Sequence, residues 1–263
     1  MSLHLGNQVI ALAETRPSGR SYPADVPGWD PLFQHFAIVV SDMTAAYANL
    51  QALDSWTPIS TNGPQILPPS SGGVTAFKFR DPEGHPLELL AFAPGATPAH
   101  WVIRSGNLCL GIDHSAISVT DTSRSVAFYN RLGLARTASS LNVGREQDKL
   151  DNIVGAVVEV TALALPMQTV PHVELLRYRG SFNRRKLLPN RNDVAATQLV
   201  FEVERDALDA IVALNRDATI SSSTRSQSGE LQAVLLRDPD GHLLCIESRT
   251  TLPRQAANQH KAP

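Results

Sequence analysis

The hydrophobic pattern of the chain repeats one plan three times: a β-rich run, a stretch with helical spacing, and then further β-rich runs. The opening runs are residues 33–40, 112–119 and 197–203. The predicted helices that follow them are residues 43–53, 122–131 and 206–215. Asp42 and Asp121 stand where N-caps belong, and Gly133 stops the second helix. Val126, Tyr129 and Leu132 recur at helical spacing in that helix.

Each plan closes on a short apolar run that reads as a last strand. These runs are residues 86–92, 172–178 and 242–247. Residues 8–13 read as the last strand of a fourth copy, and a Pro/Gly-rich linker follows them at 16–29. The sequence therefore predicts an α+β fold of about three and a half βαβββ modules, paired into curved mixed sheets that enclose a cleft.

A repeated phrase supports internal duplication. Residues 80–85 read Arg-Asp-Pro-Glu-Gly-His, and residues 237–242 read Arg-Asp-Pro-Asp-Gly-His. An apolar run follows each phrase, so a turn plus a strand recurs at a fixed place in two modules.

The modules are expected to pair in chain order. The remnant of the fourth copy (8–13) would pair with segment one (33–92) in an N-terminal domain, 1–98, whose first module is incomplete. Segment two (112–178) and segment three (197–247) would pair in a C-terminal domain, 107–250, with a boundary near 94–106. The polar stretch 251–263 is expected to be a flexible tail.

Composition limits the class of protein. The 263 residues are 43% hydrophobic and carry a formal net charge of −2, which argues against a dedicated nucleic-acid binder. Only Cys109 and Cys245 are present, so no disulfide framework is implied. No apolar run reaches the length of a membrane span, and no signal peptide is evident. We expect a cytoplasmic protein that binds a small molecule, with a homodimer as one candidate assembly.

Polar residues stand on strands that are otherwise apolar. His35, His114 and Gln198 lie on the three opening strands, and Glu88 and Glu174 lie on two closing strands. A carboxylate in such a strand is costly to bury unless it is paired or bound to a cation. Imidazole, carboxylate and amide oxygen together suit a divalent transition metal.

With these features the chain resembles the vicinal oxygen chelate superfamily, which includes glyoxalase I, extradiol dioxygenases and the bleomycin resistance proteins. The resemblance covers nearly everything after residue 30. It depends on the βαβββ modules, on Asp113-His114-Ser115-Ala116, on the helix end 128–134 (Phe-Tyr-Asn-Arg-Leu-Gly-Leu) and on the Asp-Pro-Glu/Asp-Gly turns. The superfamily spans several reaction types and metal-free binders, so the resemblance predicts the fold more sharply than the function.

The resemblance implies metal ligands on the first and last strands of paired modules. For the predicted C-terminal pair these are His114, Glu174 and Gln198, with Cys245, Glu247 or water as the fourth ligand. His35 and Glu88 offer a second set, but Ala11 stands where its partner carboxylate would be. We expect that first pair to be structural or vestigial, or to be completed by a partner chain.

His172 lies two residues before Glu174 on the same strand face, which makes it a candidate proton carrier. The implied cofactor is a divalent ion: Fe, Mn, Zn or Ni. Glutamine and glutamate among the ligands favour a glyoxalase-type isomerase or a lyase, whereas extradiol dioxygenases of the superfamily commonly use two histidines and one glutamate on Fe(II).

Two other functions stay open at this point. The first is a metal-free protein that binds a drug or metabolite in the cleft. Three Trp, four Tyr and eight Phe are few for stacking flat drugs, so it ranks lower. The second is a degenerate structural or regulatory member, which the incomplete first module favours. Bound metal would separate the enzyme from both.

Overall fold

The structure, a computed structural model, describes two compact units. It describes residues 1–6, 8–102, 106–180, 182, 188–220, 224–225 and 231–248. The first unit is Met1–Thr197 with Asp238–His242, and the second is the described part of Gln198–Arg237 and Leu243–Pro263. The predicted tail 251–263 lies outside the described residues.

The first unit follows the predicted order of elements. Its strands are β1 (Ser2–Leu5), β2 (Gln8–Ala11), β3 (Gln34–Val40), β4 (Thr57–Pro58), β5 (Gln65–Ile66), β6 (Thr75–Arg80), β7 (Pro86–Ala91), β8 (Cys109–Ser118), β9 (Ala135–Val143), β10 (Val157–Leu165) and β11 (Gln168–Tyr178). Its helices are α1 (Met43–Gln51), α2 (Ala99–Val102), α3 (Thr122–Arg131) and α4 (Arg145–Asp151). A single 3-10 turn covers Pro69–Ser71.

Two βαβββ modules form one sheet of nine strands in this unit. The strand order is β4-β6-β7-β3-β8-β11-β10-β9, and β5 pairs with β6. In each module the first strand runs parallel to the last, β3 beside β7 and β8 beside β11. The modules join where β3 and β8 pair antiparallel. The predicted α+β architecture of paired modules is confirmed.

The pairing of modules differs from the one expected. Both edges of β8 are hydrogen-bonded, one to β3 and the other to β11, so segment two pairs with segment one. This sheet crosses the predicted domain boundary at 94–106. After β3 and β8 pair with their own closing strands, each keeps one free edge, and these two edges pair with each other.

The second unit contains the third module. Its elements are β12 (Gln198–Val203), α5 (Arg205–Leu214), β13 (Thr224–Arg225), β14 (Leu231–Arg237) and β15 (Leu243–Ser248). Their order in the sheet, β12-β15-β14-β13, repeats the order of the other two modules. The expected fourth copy takes another form, because β2 pairs with β1 in a separate two-stranded sheet.

The helices and the alternation of the strands divide the first sheet into two faces. The Asp42 carboxylate accepts the Ala45 N–H, which confirms it as the N-cap of α1. Helix α1 then packs its buried Leu50 in one cluster with Phe77 and Leu89. Successive strand residues point to opposite faces, so the neighbouring polar residues of β3 and β7 lie on the face away from α1.

The repeated Asp-Pro turns have the same internal bonds. The carboxylates of Asp81 and Asp238 each accept the backbone N–H groups two and four positions further on, at 2.9 Å. The histidine that ends each turn is bonded to a distant carbonyl: His85 Nε2 lies 2.9 Å from the Val194 oxygen, and His242 Nε2 lies 2.9 Å from that of Ser118. Each histidine therefore anchors its own turn to a distant part of the chain.

The N-cap predicts a measurable stability. We expect Asp42→Ala to lower the free energy of unfolding by about 1 kcal/mol, because an N–H group of the first turn of α1 loses its acceptor. Urea denaturation followed by circular dichroism measures the change. The control is Thr44→Ala, an exposed position in the same turn that leaves the cap intact. Equal midpoints for both variants would contradict the role of the cap.

Candidate metal centre

Four polar side chains lie on four adjacent strands at the centre of the first sheet. In the order β7-β3-β8-β11 they are Glu88, His35, His114 and Glu174. The structure therefore brings together the two histidine–glutamate pairs that the sequence predicted for different sites.

The register relates the two pairs by an approximate twofold. Ala37 is paired with Glu88 on one side and with His114 on the other. Ala116 is paired in the same way with Glu174 and with His35. Each histidine thus stands two residues before a fully buried alanine that lies beside a glutamate. The small alanine side chains leave room for four polar groups to approach one another.

Three of the four side chains, those of His35, Glu88 and His114, lie close together and are almost fully buried, and that of Glu174 is 21% exposed. His35 Nε2 is 2.9 Å from Glu88 Oε2, and His114 Nε2 is 3.6 Å from Glu174 Oε2. Ligand atoms of His35, Glu88 and His114 all lie within 4.8 Å of one another. The side chains of His35 and Glu88 are 1% and 7% exposed. The site is thus a compact group of nitrogen and oxygen donors shielded from water.

His35 shows that these residues fit a cation. Neither of its ring nitrogens has a hydrogen-bond partner among the described residues, although both are buried. Its Nε2 approaches the Glu88 carboxylate without the geometry of a hydrogen bond. Two atoms bound at right angles to an ion at about 2.1 Å would be about 3 Å apart, close to the separation seen. Two imidazoles and two carboxylates also suit a divalent transition metal and neutralise its charge.

The electrostatic environment sets the protonation of the four groups. Burial lowers the pKa of His35, which favours its neutral, metal-binding form. At Glu88 burial alone would raise the pKa, but His35 and Lys78 outweigh it and hold the pKa below its usual value. Burial likewise opposes ionisation of His114 and Glu174, yet their mutual attraction wins. The pKa of His114 rises to about 9 and that of Glu174 falls to about 2.

His172 lies at the edge of this group, next to the predicted ligand. Its Nε2 is 3.4 Å from Glu174 Oε1, and its side chain is 16% exposed. In the parallel pairing of β8 and β11 it stands directly beside His114. A side chain at the boundary between the buried donors and the surface is placed to carry a proton. The arginines that could have paired with Glu174 pair with Glu159 instead.

Gln198 and Cys245, the other predicted ligands, belong to the second unit. Gln198 opens β12 and is exposed. Cys245 is half-buried on β15, and its sulfur lies 3.4 Å from Glu247 Oε1, so these two share a strand face as predicted. Their role as ligands stays a prediction.

The sequence did not predict Asp113 as part of the site. Its Oδ2 lies 3.2 Å from His114 Nδ1, and its side chain is 14% exposed. Strict alternation along a strand would place two consecutive residues on opposite faces. The signal that could have found it is the Asp-His pair itself, since carboxylates commonly orient metal-binding imidazoles.

No family model matches the chain. A curated relative, the metallothiol transferase FosB of Shouchella clausii (strain KSM-K16), is 29% identical over 156 residues, which cover 58% of this chain and 90% of the relative. The solved structure of glyoxalase I from Zea mays matches with a TM-score of 0.52 and 17% identity, over 81% of this chain and 66% of the maize chain. The resemblance to the vicinal oxygen chelate superfamily is confirmed.

The sheet of the first unit also buries a lysine that the sequence did not single out. Lys78 on β6 is paired in register with Glu88, and its Nζ donates to Asp151 Oδ1 at 2.7 Å. The other oxygen of Asp151 accepts hydrogen bonds from Gln147 and from the Tyr178 hydroxyl. Because α4 supplies the aspartate, this buried ion pair links the two modules beside the candidate metal ligands.

Breaking this ion pair should strongly lower the stability of the fold. We expect Lys78→Met to lower the free energy of unfolding by about 3–5 kcal/mol, because Asp151 would be left charged and buried. Denaturant titration measures it. The double variant Lys78→Met/Asp151→Leu is the control and should recover part of the loss. A single variant as stable as the wild type would show that the pair has no structural role.

Proposed function

We propose that the protein is a divalent-metal-dependent enzyme of the glyoxalase type that acts on a small substrate with neighbouring oxygen atoms. An isomerase or lyase reaction is favoured. The observation that carries the proposal is the convergence of His35, Glu88, His114 and Glu174 on four adjacent strands, with both ring nitrogens of His35 buried and without a hydrogen bond among the described residues. The likeness to a protein named a metallothiol transferase supports the metal.

The proposed ligand set differs from the one that the sequence favoured. Its four members lie in one sheet of the first unit, whereas Gln198 and Cys245 belong to the second. His35 and Glu88 therefore take the place of the glutamine and the cysteine. The incomplete first module does not weaken this site, because segment one supplies both of its own donors.

A bound divalent ion would supply a positive charge that stabilises negative charge developing on a substrate oxygen. The protein's own groups would do the rest. Burial would hold the imidazole rings of His35 and His114 in place. The carboxylates of Glu88 and Glu174 would balance the positive charge of the ion. His172 lies outside the ligand set and beside Glu174, and it would move a proton to or from the substrate.

An extradiol-type dioxygenase is the second candidate, and one observation favours it. His35, Glu88 and His114 form a group of two imidazoles and one carboxylate. That combination is typical of non-haem Fe(II) oxygenases. Glu174, as a second carboxylate beside the group, favours the first candidate. Oxygen uptake by the Fe(II)-loaded protein with catechols, against isomerisation by the Zn- or Ni-loaded protein, would separate the two.

Among the described residues the structure contains no helix long and apolar enough to cross a membrane. The small-molecule substrate, the cytoplasmic location and the homodimer are proposals that need solution experiments. A metal-free binding protein is the alternative if the protein takes up no ion.

Metal content tests the proposal directly. We expect about one divalent ion per chain in protein loaded with Zn or Ni and then desalted, measured by plasma mass spectrometry. His35→Ala and Glu88→Gln should each lose most of the ion, since each removes one of four donors.

Two matched variants sharpen this test. Glu159→Gln removes a carboxylate of the same sheet that is paired with arginines, and it should leave the metal content unchanged. Gln198→Ala distinguishes the ligand sets: metal retained by Gln198→Ala and lost by His35→Ala supports the proposal. The opposite result would restore the set predicted from sequence, and absence of metal in every sample would favour a metal-free binding role.

Metal affinity should depend on pH. The pKa of His114 is about 9 in the metal-free protein, so its ring is the positively charged imidazolium, protonated on both nitrogens, at neutral pH. An ion must displace one of these protons, and the apparent Kd should therefore fall by about tenfold per pH unit between pH 6 and pH 9. Competition with a chromophoric chelator, corrected for the chelator's own titration, measures it. A Kd independent of pH over this range would exclude His114 as a protonated ligand.

A further inference from the structure

A β-bulge in β8 changes the direction of one side chain at the proposed metal centre. Opposite β3, Ala37 is paired with His114 and Ile38 with Ile112, so Asp113 is the extra residue. A bulge lets two consecutive side chains approach the same face. This explains how Asp113 and its neighbour His114 come within 3.2 Å of each other.

Asp113 completes a closed ring of alternating carboxylates and imidazoles. Its Oδ2 faces Nδ1 of both His114 and His172, at 3.2 and 3.9 Å. Glu174 faces Nε2 of the same two rings, at 3.6 and 3.4 Å. Each carboxylate therefore stands on a different edge of His114: Asp113 on the Nδ1 edge, and the proposed ligand Glu174 on the Nε2 edge.

We propose that Asp113 is a positioning residue that holds His114 with Nδ1–H toward its carboxylate and Nε2 toward the metal centre. The inference rests on the proposed function. Nδ1–H donates to the carboxylate, so the lone pair that an ion needs lies on Nε2, the nitrogen nearest Glu174.

His35 is an internal comparison within the same sheet. It occupies the matching place in the first module, but the residue before it is Gln34, and β3 has no extra residue there. Both of its ring nitrogens are buried and have no hydrogen bond among the described residues. In the first module His35 thus has Glu88 of its own module beside it, and the second module adds a further carboxylate, Asp113, through the bulge.

The surroundings of the bulge hold its backbone in place. Gly111 has φ +154°, and a Cβ at this position would lie 2.7 Å from the ring of Trp101. Trp101 is 1% exposed, so it packs tightly over the glycine. The Ile112 N–H donates to the side-chain oxygen of Gln8 at 3.2 Å. These contacts fix the strand directly before Asp113.

The experiment compares Asp113→Ala and Asp113→Asn with the wild type, using Zn²⁺ alone as the probe. We expect Asp113→Ala to weaken Zn²⁺ binding by about 10–100-fold. Asp113→Asn should be intermediate, because its amide oxygen still accepts from Nδ1–H. Glu159→Gln is the control and should bind as the wild type. Circular dichroism shows that each variant is folded, and the nearly isosteric asparagine covers the case in which the alanine variant is not.

NMR of the ring nitrogens gives a readout that does not depend on activity. In Zn²⁺-loaded wild type, His114 should show Nδ1–H and a metal-shifted Nε2. Zn²⁺ bound as tightly by Asp113→Ala, or Nε2–H on His114, would overturn the inference. Two Zn²⁺ per chain that both depend on Asp113 would overturn it as well, since Asp113 would then be a ligand.

The metal-free protein separates failure of this inference from failure of the proposed function. At pH 7 a slowly exchanging, hydrogen-bonded Nδ1 proton of His114 should be present in the wild type and lost in Asp113→Ala. If no Zn²⁺ binds but this proton behaves as expected, the proposed function fails and the positioning contact stands. If Zn²⁺ binds and the Nδ1 proton of His114 is unchanged in Asp113→Ala, the positioning role of Asp113 fails and the proposed function stands.

Discussion

The antiparallel pairing of β3 with β8 is the constraint on which the site depends. It joins two modules edge to edge and places their opening strands side by side at the centre of one sheet. Each opening strand also pairs with its own closing strand, so four polar positions fall on adjacent strands. A shift of one residue in this register would move His35 or His114 to the opposite face.

Burial then gives the charged groups of the site a high cost in free energy. Two imidazoles, the Glu88 carboxylate and a neighbouring lysine–aspartate pair are almost fully buried, and the Glu174 carboxylate is 21% exposed. Charged groups are costly to bury singly, and here Lys78 lies near Glu88 and His114 lies near Glu174. The same arrangement prepares His35 as a neutral donor and gives His114 a proton that a metal must displace. The packing of the site, its charges and its proposed chemistry thus all follow from the same arrangement of four adjacent strands.

The repeats within the chain show which differences have functional meaning. The three modules share strand order, and two of them share the Asp-Pro turn with its internal bonds. Against this background the bulge at Asp113 stands out. It occurs in the second module and not at the matching place in the first, and it adds a carboxylate to one histidine of the pair.

The sequence by itself determined the modules, the helix cap at Asp42, the turns and the types of donor, because these depend on local periodicity and backbone preference. It also identified His35, Glu88, His114 and Glu174 as polar residues on apolar strands. It expected the two histidine–glutamate pairs in different domains, whereas β3 and β8 join them in one sheet. Every opening strand has an equally suitable free edge, and local pattern does not say which one is occupied. Only the tertiary structure decided that choice. It also decided the places of Lys78 and Asp113, because a cross-module ion pair and a one-residue bulge leave no periodic trace in the chain.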